Sequence, residues 1–251
     1  MKVSSWIKIL LVLVIKCSLA NATPSSVFWT VCTTDVYTAG TGHIDQDNYF
    51  TIFKKRGANP SFAPDIGFEL GAFSWKDISV ETGVDYTGGT NHPLFFNVGA
   101  GIAEDKIFCH SPSFKVGIFN VGTHYCGQNR TDQNIADIII GKSLPDWIGG
   151  KLFLGGFSGS KTIGKNRQGF MVAFTRPFCP AKDCNDKEYF KWVLAADYAS
   201  GKNTIGGGGV GMYYYFTPEI SILTGPVWFN DQTLNGKWKW SVQVDISVAL
   251  F

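Results

Sequence analysis

Residues 238–250 read WKWSVQVDISVAL. Trp238, Trp240, Val242, Val244, Ile246, Val248 and Leu250 fall on one side of an extended chain, and Lys239, Ser241, Gln243, Asp245 and Ser247 on the other. Successive side chains of a strand point to opposite faces, so this run is a strand with one apolar and one polar face. A chain ending this way must either pack the apolar face against a second sheet or present it to something other than water.

The same two-residue period recurs throughout, and helical periodicity is nearly absent. Ile66, Phe68 and Leu70 alternate with Gly67, Glu69 and Gly71; Ile78, Val80, Val84 and Tyr86 alternate with Ser79, Glu81, Gly83 and Asp85. Leu94 to Ile102, Phe114 to Ile118, Phe190 to Tyr198 and Val210 to Phe216 repeat the pattern between Gly, Asn, Asp and Pro punctuation. The spacing predicts twelve strands, within a range of ten to fourteen, near 44–55, 64–74, 77–87, 93–103, 112–122, 134–142, 149–157, 168–176, 189–199, 205–216, 219–229 and 238–250. No linker or fixed repeat divides them, so 23–251 reads as one domain, with 23–43 a terminal extension or an extra strand.

The connections sort by length. SWKD (74–77) and FTPE (216–219) are tight, and five longer polar connections all fall at the opposite end of the strands. RPFCPAKDCNDKE (176–188) is the exception, long on the tight side. Aromatic residues gather near strand ends, at Trp75, Tyr86, Trp147, Trp192, Tyr198, Trp228 and Trp238. Short turns at one end, long loops at the other, strands of about ten residues and interfacial aromatics together describe an outer-membrane barrel. The fold expected is all-β: a transmembrane, antiparallel, up-and-down barrel. The rival is a soluble secreted sandwich with its apolar faces packed together.

The first 22 residues, MKVSSWIKILLVLVIKCSLANA, have a basic start, a short apolar run and Ala20-Asn21-Ala22, the form of a cleavable signal peptide. Removing its three lysines from 22 basic residues leaves 19 against 20 acidic ones, a net charge of −1. No concentrated basic patch speaks for nucleic acid. Five cysteines follow the leader, and export favours their oxidation. Cys179–Cys184 is the first expected pair and Cys32–Cys109 the second; the odd cysteine is available to another envelope protein.

Three motifs tempt and are set aside. ADIIIGKS (136–143) fits a loose phosphate-loop pattern, but its centre is a strand rather than a glycine-rich turn into a helix. Cys109-His110 and His124-Tyr125-Cys126 supply zinc-type ligands on opposite rims. His92, in a polar loop, has no serine placed beside it by strand spacing, so no catalytic residue, metal or cofactor is expected.

The tail WVLAADYASGKNTIGGGGVGMYYYFTPEISILTGPVWFN…WKWSVQVDI is similar to the closing strands of outer-membrane porin-like proteins, and VFWTVCTTDVY…GHIDQDNYFTIF resembles uncharacterised members of that group. The resemblance covers most of the chain after the leader. It implies localisation in the outer membrane of a Gram-negative-type bacterium, with a channel for small hydrophilic solutes or a structural or display barrel as alternatives. It also implies contact with outer-membrane lipid and the barrel-assembly machinery, and leaves open a homo-oligomer or disulfide-linked envelope partners. The assembly signal falls on Trp240, Val242, Val244, Ile246, Val248 and Phe251, although Phe251 is one step out of the apolar register. The expected lumen face carries Glu69, Glu81, Asp85, Asp137, Asp197 and Asp245 against Lys115, Lys151, Lys191 and Lys239. That balance predicts mild cation preference, and the inward glycines predict a narrow water-filled channel.

Overall fold

The computed structural model describes residues 26–52, 62 and 64–250. The expected leader, residues 1–22, and the terminal Phe251 lie outside them. Twelve strands form a closed barrel in which each is hydrogen-bonded to its sequence neighbours and β1 to β12, antiparallel throughout. They are β1 (Thr41–Phe50), β2 (Asp65–Trp75), β3 (Ile78–Thr87), β4 (Leu94–Ile102), β5 (Ser113–Gly122), β6 (Ile135–Ser143), β7 (Lys151–Ser158), β8 (Gln168–Lys182), β9 (Glu188–Ala199), β10 (Gly207–Thr217), β11 (Ile220–Phe229) and β12 (Trp238–Ala249). A helical turn, α1 (Gln232–Asn235), sits in the last loop. The up-and-down barrel stands as expected; the sandwich is overturned, because a single sheet closes on itself.

Inner and outer faces follow one rule. Through the paired centre of every strand, odd-numbered residues point in and even-numbered ones out. Outside are Ile44, Phe68, Val98, Val116, Ile138, Ile140, Leu154, Val210, Val244 and Ile246, all exposed large hydrophobic side chains. Trp240, Val242 and Val248, expected from the sequence to carry an assembly signal, share that outward face. Exposed aromatics stand at both margins: Phe50, Tyr86, Phe170 and Trp228 toward the long loops, and Trp75, Trp192 and Phe216 toward the short turns. The long 176–188 connection resolves differently from its expected form. β8 runs on to Lys182, pairing with β9 as far as Lys182↔Glu188, so a strand hairpin projects past its neighbours and only residues 183–187 turn.

Residues 26–40 form no strand. They run inside the barrel from the loop end to the turn end, where β1 begins. Phe28 and Cys32 are fully buried, and Val27, Thr30, Thr33 and Tyr37 nearly so. The contacts that hold them are with inward residues. The backbone N–H groups of Phe28, Trp29 and Thr30 donate to Asp197 Oδ2 at 3.0, 2.8 and 2.6 Å. Gln243 Nε2 donates to the Phe28 carbonyl at 2.9 Å and the Tyr213 hydroxyl to the Val27 carbonyl at 3.0 Å. Farther down, Thr34 Oγ1 meets Ser113 Oγ at 2.6 Å, Lys151 Nζ meets Asp35 at 3.1 Å and Tyr37 N donates to Glu81 Oε2 at 3.0 Å. The inward glycines that face this segment do not leave a water channel. Gly209 and Gly211 are where the Phe28 ring lies, and a side-chain carbon at either would enter the ring. Gly71, Gly101 and Gly141 likewise accommodate Thr38, Val36 and Thr34.

Two consequences can be measured. Gly209→Val forces the Phe28 ring from its seat, with the destabilisation of about 1–3 kcal/mol usual for overpacking. Thermal unfolding in detergent should register it, and an unchanged transition would contradict this seating. Asp197→Ala leaves four backbone N–H donors, those of Phe28, Trp29, Thr30 and Gly209, without their acceptor. With Cys109, Cys126, Cys179 and Cys184 replaced by serine, Cys32 becomes a reporter of the segment. Maleimide labelling of Cys32 in the folded barrel should be slow while the Asp197 carboxylate is present. It should be fast in the Asp197→Ala variant, since a hydrogen bond to a charged group contributes about 1.5–3 kcal/mol. Equal labelling rates would contradict the anchoring role of Asp197.

Candidate functional site

The lumen has two halves. Toward β6–β11 it is an apolar core: Ile135, Ile139, Phe153, Phe157, Met171, Leu223 and Val227 pack with Val27 and Phe28 of the internal segment. Toward β1–β5 the wall is acidic around a cavity of about 500 Å³. β1 contributes Asp45 and Asp47, β2 Asp65 and Glu69, β3 Glu81 and Asp85, β6 Asp137 and β12 Asp245. Among the described residues Lys115 is the one lysine lining it, and it meets Glu81 Oε1 at 3.2 Å. His43 also lines it, its ring 3.2 Å from Ser247 Oγ and stacked on Tyr37 with centroids 5.2 Å apart. At the loop end Trp29, Tyr49 and Phe62 border the cavity on one side; Trp29 meets Tyr49 edge-on at 5.4 Å, and Tyr49 meets Phe62 at 5.6 Å.

Glycines shape this half too, in another way. The inward faces of Gly67, Gly83, Gly99 and Gly117 are covered by Asp45, Glu69, Glu81 and Asp137 from neighbouring strands, lying flat where a side chain would stand. The register also sets acids opposite one another: Asp45 faces Asp245 across β1 and β12, and Asp47 faces Asp65 across β1 and β2. Directly opposed like charges destabilise a sheet. Some are partly satisfied: the Tyr49 hydroxyl donates to Asp47 at 3.0 Å, Asn97 Nδ2 to Asp85 at 2.6 Å and Thr87 Oγ1 to Asp65 at 3.0 Å. Asp137 Oδ1 is buried and accepts no hydrogen bond.

Of the residues expected to line the lumen, Glu69, Glu81, Asp85, Lys115, Asp137 and Asp245 border the cavity. Asp197 and Lys151 instead hold the internal segment. Lys239 is buried at the loop end, where Nζ lies 2.8 Å from Thr51 Oγ1 and over the Phe62 ring. Lys191 does not line the lumen: it is exposed on the projecting β8–β9 hairpin, beyond Trp192↔Tyr214, the last pair with β10. Asp45, Asp47 and Asp65 were missed. The inward series His43, Asp45, Asp47, Tyr49 was readable in GHIDQDNYF, but Gln46 and Asn48 interrupt the outward apolar series that marks a strand's register.

None of the five described cysteines is bridged. Cys32 is fully buried in the lumen while Cys109 is exposed in a turn, so the expected 32–109 pair is not formed; Cys179 and Cys184 are separate and exposed. Ala136 to Ser143 lies wholly in β6, away from any phosphate-loop geometry. At the loop end His92 and His124 stack with centroids 4.2 Å apart. Nearby, the Arg130 guanidinium paired with Asp132 holds that carboxyl below its usual range, assisted by the Thr162 hydroxyl.

No family model matches the chain, and no curated protein does. Among solved structures, a mutant porin of Rh. blastica aligns at 12% identity with a TM-score of 0.40, over 74% of this chain and 55% of the porin. The N-terminal β-barrel domain of Pseudomonas aeruginosa OprF aligns at 12% identity and a TM-score of 0.23, and Ail, the attachment invasion locus protein of Yersinia pestis, at 10% and 0.20. Each of these two covers 84% of this chain and is itself covered completely. This chain thus spans about half the length of the porin, and the description of the barrel rests on its own strand pairing.

Proposed function

We propose that the protein is an outer-membrane barrel, exported by a cleavable leader, whose porin-like passage for small hydrophilic solutes is held shut by residues 26–40. The observation that carries the membrane reading is the single outward parity: large hydrophobic side chains are exposed on strand after strand while carboxylates face in. A monomeric soluble protein rarely exposes a contiguous apolar patch beyond a few hundred Å². A closed sheet leaves no unpaired strand edge, which lipid would not tolerate. The aromatic side chains at both margins suit the two interfaces, and the long loops suit the outer surface. Lipid and the assembly machinery are then its obligatory partners.

Passage is the finer part of the reading. The acidic cavity lies beside the internal segment, and that segment with its apolar seat fills the rest of the bore. Such filling equally favours the second reading, a structural or display barrel that never opens. No catalytic group is invoked in either.

Planar-bilayer recordings across a potassium chloride gradient separate them. The refolded protein without its leader should insert with little or no current. Asp197→Ala, which releases the segment, should give discrete conductance steps several-fold larger, with a cation-preferring reversal potential. Full-size steps from the unaltered protein would overturn closure by residues 26–40. Stable insertion without current from both proteins would overturn passage and leave a structural barrel. Solubility in plain buffer without detergent would overturn the membrane reading itself.

A further inference from the structure

We infer that the acidic half of the lumen is a binding site for a small organic cation, an amine or guanidinium compound that enters from the loop end. The inference rests on the membrane-barrel reading only for that direction of entry, and it does not require passage.

Charge alone would not make this a site; register and satisfaction do. Asp45 opposes Asp245, and Asp47 opposes Asp65, so the fold holds like charges together, with His43, 3.6 Å from Asp245, and Lys115 as the basic side chains among eight acids lining the cavity. The lysine lining the cavity is already engaged by Glu81 at 3.2 Å. Asp137 is 8% exposed and lines the cavity, yet its Oδ1 accepts no hydrogen bond. A buried carboxylate oxygen without a hydrogen bond is costly, and a cation in the adjoining cavity offsets that cost through its charge. The wall is therefore rich in acceptors and poor in positive donors, which is the complement of a cationic ligand.

The kind of cation follows from the spread of the wall. Among the described residues no three His, Cys, Asp or Glu side chains converge to hold a metal ion. The carboxylates come from strands on either side of the β1–β12 closure, around a space of about 500 Å³. That volume is far larger than a bare ion and suits a molecule of several heavy atoms with more than one N–H. Trp29, Tyr49 and Phe62 border the same space, and aromatic faces attract ammonium and guanidinium groups. An acidic wall with an aromatic end is matched by a cation carrying an apolar stem.

Agmatine, which has an amine at one end and a guanidinium at the other, is the probe. Titrated calorimetrically into the folded, detergent-solubilised barrel, it should bind saturably with one site per chain. Potassium chloride at equal ionic strength should compete only weakly. Asp47→Asn with Asp137→Asn should weaken agmatine by about tenfold or more, since charge-assisted hydrogen bonds are lost. The same variant should unfold at an equal or higher temperature without ligand, because it relieves repulsion; a merely structural role would lower both. Asp183→Asn, in the turn between β8 and β9, should leave binding unchanged. Absence of heat from a folded barrel, equal competition by potassium, or undiminished binding by the double variant would each overturn the inference. None of those results alters the bilayer recordings, so failure of binding and failure of passage are read separately.

Discussion

The pairing of the first strand with the last governs everything else in this molecule. From Thr41↔Ala249 to Phe50↔Trp240 the chain's two ends are held in one ladder, and without it the sheet has two open edges. Closure also fixes what the two faces are. Because a strand's side chains alternate, a one-residue slip in any ladder would exchange the apolar outside for the charged inside. The shared odd-inward parity of all twelve strands is the visible result of keeping each ladder in register. Where β2 and β5 take extra residues, the irregularity lies near a strand end, outside the centre of the ladder.

Closure has a second effect, which is to create an interior that must be filled. A twelve-stranded barrel is wider than its own side chains fill readily, since even eight strands leave an interior just wide enough. The chain fills one half with its own N-terminal segment and the other with charged side chains around a cavity. Glycine serves both solutions. At Gly209 and Gly211 it admits an aromatic ring from a segment far away in sequence; at Gly67, Gly83, Gly99 and Gly117 it lets an adjacent strand's carboxylate lie against the wall. Asp197 joins the two systems, because its Oδ2 receives the internal segment while Oδ1 receives the Gly209 N–H of its own wall.

The strands were legible in the sequence because their outward faces repeat every second residue with little interruption. Strand number and direction follow from that period, and the β8–β9 connection shortens once β8 is allowed to continue to Lys182; residues 103–112, joining β4 to β5 at the turn end, are a second long connection there. The contents of the lumen were not legible. An inward glycine reads the same whether it makes room for water, for Phe28 or for a carboxylate, and the contacts that seat Phe28 join residues more than a hundred positions apart. Lys191 has the right parity, but parity says nothing about height along the barrel. The cysteine pairings rested on compartment chemistry alone, and the burial of Cys32 is a property of the internal segment, whose path no periodicity announces.

The two halves of the lumen are unequal in how easily they could change. The apolar half is held by burial, by three N–H bonds to one carboxylate and by a ring seated on glycine, so moving the segment means breaking many contacts together. The acidic half gathers like charges around a cavity at some cost, so it is the side on which a small cation has most to offer. A cation bound there would also touch Trp29, which belongs to the internal segment and whose indole N–H donates to the Ile205 carbonyl at 2.9 Å. Glu81 likewise belongs to both systems, accepting from Tyr37 N and pairing with Lys115. Occupancy of the cavity and position of the segment therefore share residues, and a ligand preferring one position of Trp29 or Glu81 over another would shift the equilibrium of the segment by that difference in affinity and no more.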